Sequence, residues 1–164
     1  MKTTKTILFI LAVFWVLAAG GGVVSATAGE RHAGYYYPED VTVEYYKSRA
    51  RTLDGAGRRR RIGFVTALTG EQLSQPYPPN YVLFAKGEKA EKLILVALND
   101  NAFSTLYQAR ALLALLTARA RASQLFREYA VDDVFTFIDL LKLLGFRQLT
   151  VSDGVSFAHR YVIE

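Results

Sequence analysis

Apolar positions fall into a few separate stretches along the chain, and their spacing predicts the elements. Ile7 to Ala19 is an unbroken apolar run. Val41, Val43 and Tyr45 then alternate with Thr42 and Glu44, the period of a half-buried strand, and Tyr46 to Leu53 is able to continue as helix. Asp54-Gly55-Ala56-Gly57 reads as a turn or loop before the short apolar run Ile62-Gly63-Phe64-Val65, which predicts a buried strand with Arg60 or Arg61 at its start. Thr69 is placed to cap a short helix from Gly70 to Ser74, with Gln72 in the capping-box position and Pro76 ending it. Tyr81 to Ala85 and Lys92 to Leu98 predict an antiparallel pair joined by the charged loop Lys86 to Glu91. The second of these strands is apolar on both faces, so it belongs inside the sheet under a cover of helices.

The longest helical pattern runs from Ala102 to about Arg121, with Asn99, Asp100 and Asn101 as candidate caps. Leu106, Ala109, Leu113 and Leu116 share one face, and Ser123 opens a shorter segment to Tyr129. Asp132 or Asp133 is expected to cap a further helix, Val134 to Leu144, closed by Gly145 in the left-handed conformation. A hairpin ends the chain: Gln148 to Ser152, the turn Asp153-Gly154, then Val155 to Ile163. Strands, then helices, then strands, with hairpin connections, predict an α+β two-layer domain. Its sheet is antiparallel or mixed and its helices lie mainly on one face.

The N-terminal run reads as a secretory signal peptide. Lys2 and Lys5 precede it, and Ala26 and Ala28 form a small-x-small cleavage site. The alternative is a retained inner-membrane anchor, because Gly20 to Val24 extends the apolar run toward the ~20 residues that cross a bilayer. Three consecutive glycines favour the cleaved form. The organisation is therefore residues 1–28 as signal, 29–57 as an extended segment and loop, and 58–164 as a single α+β domain. The expected location is periplasmic or secreted.

Composition narrows the picture in two ways. Cysteine is absent, so burial alone must stabilise an exported domain. Loss of Lys2 and Lys5 with the signal changes 20 basic and 15 acidic residues to 18 and 15, a net +3. That excess is too small for a dedicated nucleic-acid binder.

Candidate chemistry is sparse. Arg58, Arg59, Arg60 and Arg61 beside a glycine-rich loop suit an acidic protein or an anionic envelope component, against the alternative of a solvated loop. Tyr35, Tyr36 and Tyr37 before Pro38 suit either a binding platform or the anchoring of the N-terminal segment to its own domain, with hydroxyls left wet. His159, with Ser152, Asp153 and Ser156 on the same hairpin, raises a small envelope hydrolase or transferase. Ser156 and His159 are three apart, however, and point to opposite faces of a strand. His32 with Glu30, Glu39 and Asp40 is at most a weak metal cluster. No phosphate loop, nucleophile elbow or zinc motif occurs. Neither a catalytic residue, a metal ligand nor a cofactor is assigned.

The segments Gly34-Tyr35-Tyr36-Tyr37-Pro38, Gly63-Phe64-Val65-Thr66, Pro76-Tyr77-Pro78-Pro79, Leu83-Phe84-Ala85-Lys86-Gly87 and Leu143-Leu144-Gly145-Phe146 resemble those of a small exported bacterial family without established function. Members of that family carry the label molybdopterin-guanine dinucleotide biosynthesis protein A. The label implies a guanylyltransferase using GTP and magnesium, with a Leu-Ala-Gly-Gly loop and an Arg-Met-Gly-like turn. This chain has Leu17-Ala18-Ala19-Gly20-Gly21 inside its signal and no Arg-Met-Gly, so no nucleotide-binding residue carries over. The expectation is an exported binding or accessory protein, with membrane contact only through an uncleaved signal.

Overall fold

A computed structural model describes residues 35–99, 102–122, 126–127 and 130–164. The signal segment with Ala26 and Ala28, His32, Glu30, Asp100 and Asn101, and most of the Ser123 to Tyr129 segment lie outside them. The described chain forms an α+β domain with the elements β1 (Thr42–Tyr46), α1 (Arg58–Leu73), β2 (Tyr81–Lys86), β3 (Lys92–Ala97), α2 (Leu106–Arg121), α3 (Phe137–Leu143), β4 (Gln148–Ser152) and β5 (Ala158–Ile163). The sheet is mixed, in the order β1-β5-β4-β3-β2. β2 with β3 and β4 with β5 are antiparallel hairpins, whereas β3 with β4 and β1 with β5 are parallel.

Alternation along the strands gives the sheet two different faces. Tyr81, Leu83, Leu93, Leu95, Leu149, Val151, Tyr161 and Ile163 point into the main core with Leu112, Leu113, Leu116, Phe137, Leu140 and Leu141 of the helices. Each fully buried leucine contributes about 2 kcal/mol. Among the described residues no helix covers the opposite face. Ile94 and Ala158 are covered there by Tyr37, with Tyr36, Val41, Phe84 and Val96 packed around them. β3 is therefore interior as expected, but the described helices cover only one of its faces.

Four elements differ from expectation for physical reasons. Ile62 to Val65 is not a strand, and no separate helix begins at Thr69. One helix, α1, spans the whole stretch. Its inward positions are Arg61, Phe64, Val65, Leu68 and Gln72, a helical spacing with a polar residue at each end. α2 begins later than predicted and is capped by Thr105, whose side chain accepts from the Gln108 amide, not by Asn99 to Asn101. α3 is likewise shorter, capped by Thr136 and not by Asp132 or Asp133. In the last hairpin β5 starts at Ala158. Asp153 accepts from the amides of Val155, Ser156 and Phe157, which makes a longer loop than a two-residue turn.

Asp139, fully buried in the first turn of α3, organises the approach of β1. One carboxylate oxygen accepts from Ser48 Oγ at 2.7 Å and the Arg49 amide at 3.0 Å. The other accepts from the Thr136 amide and hydroxyl, both at 2.9 Å, and from Tyr46 at 3.3 Å. Burial raises the carboxyl pKa, but the hydrogen bonds from Ser48, Thr136 and Arg49 outweigh it and hold the group below its ordinary value. The 47–56 segment does not continue as helix. It runs extended beside α3, where Thr52 donates to the Lys142 carbonyl and the Leu53 amide to the Leu143 carbonyl.

Asp139→Ala is expected to cost about 3 kcal/mol, read from urea unfolding at neutral pH, because it strands several buried donors at once. The sign of the acid response follows from the lowered pKa. The Asp139 contribution is complete above the unfolded value of about 3.9 and is lost as pH falls through the lower folded value. Asp153 is shifted in the same direction. The gap between wild type and variant should therefore narrow below about pH 4, and a gap constant with pH would contradict this.

Candidate anion-binding site

The four arginines begin α1 and do two different things. Arg58, Arg59 and Arg60 are exposed, whereas Arg61 is only 5% exposed. Its Nε and Nη2 donate to the Lys89 carbonyl at 3.0 and 2.8 Å. Nη1 donates to the carbonyls of Ala56 at 3.3 Å, Leu144 at 3.3 Å and Gly145 at 3.1 Å. The guanidinium thus joins the loop before α1, the β2–β3 loop and the C-terminal end of α3, where the helix dipole favours a cation. Gly145 has φ of +80°, and a Cβ there would lie 2.6 Å from Arg61 Nη1, so glycine is required by conformation and by space alike.

Arg61 also forms part of the wall of a cleft of about 490 Å³, together with Thr52, Ala56, Glu88, Lys89, Glu91, Lys142, Gly145, Phe146 and Arg147. The cleft is built by topology. The β2–β3 loop supplies Lys89, the end of α3 supplies Lys142, and the link into β4 supplies Arg147, whose amide donates to the Glu91 carbonyl at 2.8 Å. Glu91 also accepts from the Lys89 amide at 2.9 Å, which fixes the loop. Among the described residues, no salt bridge neutralises Arg61, Lys89, Lys142 or Arg147; the two ion pairs both involve Glu44. A second recess of about 460 Å³, lined by Tyr81, Ala102, Phe103, Leu112 and Leu115 among others, has no charged side chain.

The other predicted residues lie elsewhere. Tyr36 and Tyr37 sit on the helix-free face of the sheet, Tyr36 against Phe84 and under the Lys86 ammonium, and Tyr37 buried with its hydroxyl accepting from Arg160 at 3.2 Å. Tyr35 is exposed and rests edge-on against Tyr36. The arginine run belongs to the helical layer, so the two sets do not form one surface. The hairpin residues do not converge on a catalytic arrangement either. Ser156 donates to Asp153 at 2.9 Å, while the buried His159 lies 2.9 Å from Glu44 Oε2. Glu44 is also 3.5 Å from Arg110 of α2. Beside them burial pushes the Tyr161 pKa up, with the Glu44 charge adding to the effect and Arg110 opposing it. Among the described residues no group of three or more histidine, cysteine or acidic side chains is arranged to hold a metal.

Lys89, Lys142 and Arg147 were not singled out from sequence. They lie far apart in the chain and converge only through the parallel β3–β4 pairing. Comparison with protein-family models, curated proteins and solved structures finds no match.

Arg61→Ala removes the donor shared by four carbonyls and leaves a void, so a loss of about 3 kcal/mol or more is expected in urea unfolding. Arg61→Lys should recover only part of it, since a single ammonium cannot reproduce the planar fork. Full stability of Arg61→Ala would remove the assigned role.

Proposed function

We propose that this chain is an exported envelope protein that binds an anionic envelope component through its basic end and works as a binding or accessory protein, not a catalyst. The N-terminal signal pattern and the resemblance to a small exported bacterial family support the location. The observation that carries the binding reading is the exposure of Arg58, Arg59 and Arg60 at the start of α1, one turn from the cleft. No acidic residue accompanies them in the first turn and no side chain caps the helix. Cations at that pole oppose the helix dipole, at about 0.3–1 kcal/mol each. An anion docked there reverses the sign of that interaction. Arg61 stands apart from this role because it is buried and most of its donors are committed to carbonyls.

The test spares Arg61. Arg58→Ser, Arg59→Ser and Arg60→Ser combined should leave the unfolding midpoint nearly unchanged. Sedimentation with phosphatidylglycerol vesicles should fall about a hundredfold in affinity at low salt, taking roughly 1 kcal/mol per arginine near an anionic surface. Wild-type binding should weaken steeply with salt and be absent on phosphatidylcholine. Equal sedimentation of the triple variant and wild type would overturn the reading.

A further inference from the structure

The cleft suggests what kind of group the basic end recognises. Three cationic side chains from three separate segments, Lys89, Lys142 and Arg147, line one opening above a buried guanidinium. None of the three heads has a hydrogen-bond or ion-pair partner among the described residues. Arg61 has five N–H donors. Its Nε and Nη1 are occupied, and Nη2 has one bond, to Lys89, so one Nη2 hydrogen is left over. A buried charge is ordinarily paired. Here its hydrogen-bond partners are carbonyls, and it lines the cleft, from which a counter-ion can approach.

The lining also sets the ligand's shape and charge. Glu88 and Glu91 are part of the wall, so the four cations exceed the carboxylates by two. That balance suits a compact dianion and disfavours a long polyanion, which would run across both carboxylates. Several cations from separate segments suit the three free oxygens of a tetrahedral group better than a planar carboxylate, which a single arginine fork satisfies. The volume of about 490 Å³ is in the range of small-ligand sites.

We propose that this cleft binds a phosphoryl group through Lys89, Lys142 and Arg147 over Arg61. The proposal rests on the anion-binding reading above and names its chemistry. The group is either a lipid phosphate headgroup or a free phosphate compound, and the experiment separates the two.

Inorganic pyrophosphate is titrated calorimetrically into the protein as it accumulates in cells, alongside Lys142→Gln/Arg147→Gln and the Arg58–Arg60 serine variant. Wild type should bind one pyrophosphate and the cleft variant about tenfold or more weakly, a larger loss than the serine variant shows. Matching unfolding midpoints show that the cleft variant is folded. If the cleft variant also loses phosphatidate vesicles, whose phosphomonoester headgroup carries up to two charges, the source is a lipid headgroup; if it keeps them, the source is a free phosphate compound. Absence of pyrophosphate binding, binding indifferent to Lys142→Gln/Arg147→Gln, or equally tight citrate would each overturn the proposal. Salt-sensitive vesicle binding that depends on Arg58–Arg60 would then still leave the broader reading standing.

Discussion

The fold turns on a seven-residue helix that is held at both poles by opposite buried charges. A helix so short is not stable by itself in water. α3 persists because the Asp139 carboxylate sits in its first turn and the Arg61 guanidinium covers its last carbonyls, each on the side that the helix dipole favours. The two charges do not neutralise each other directly. Each is satisfied by hydrogen bonds from other segments, and that is how α3 becomes the junction of the molecule.

Through Asp139 the junction reaches Tyr46, Ser48 and Arg49, so it fixes the exit of the edge strand β1. Through Arg61 it reaches the β2–β3 loop and the start of α1. The intervening 47–56 segment lies along α3 and closes the circuit with bonds to the Lys142 and Leu143 carbonyls. Among the described residues β1 has one strand partner, β5, and its attachment is reinforced by Glu44, which meets both His159 and Arg110. A chain without cysteine thus ties β1 in place with polar contacts.

Much of this was legible in the sequence, and what was hidden has a consistent cause. The β2–β3 and β4–β5 hairpins, the long α2, Gly145 at the end of α3 and the α+β layering follow from alternation, helical spacing and turn chemistry, which are local signals. The anchoring of Tyr36 and Tyr37 on the sheet was also among the expectations. α1 was missed because its buried stripe begins with Arg61 and ends with Gln72, so the apolar period is too short to see and Ile62-Gly63-Phe64-Val65 imitates a strand. The helix starts were misplaced because several residues were chemically able to cap, and the choice was made by Asp139 and Gln108 completing the bonding around Thr136 and Thr105. Of the site, the arginine run was visible but its division into one buried and three exposed members was not, since that depends on where α1 meets Gly145. Lys89, Lys142 and Arg147 carried no signal at all, because only the parallel pairing of β3 and β4 gathers them.

That division bears on why the run exists. Folding gives Arg61 a reason of its own: remove it and four carbonyls lose their donor. It does not account for Arg58, Arg59 and Arg60, which form no ion pair among the described residues, stand at the wrong pole of their helix and repel one another. Solubility alone would be served equally well by acidic residues there, and with a gain from the dipole instead of a loss. When a sequence breaks a local electrostatic rule without a compensating contact inside the fold, the compensation is to be sought outside it. An anion held against the start of α1, as proposed above, would be the partner that makes three such arginines favourable.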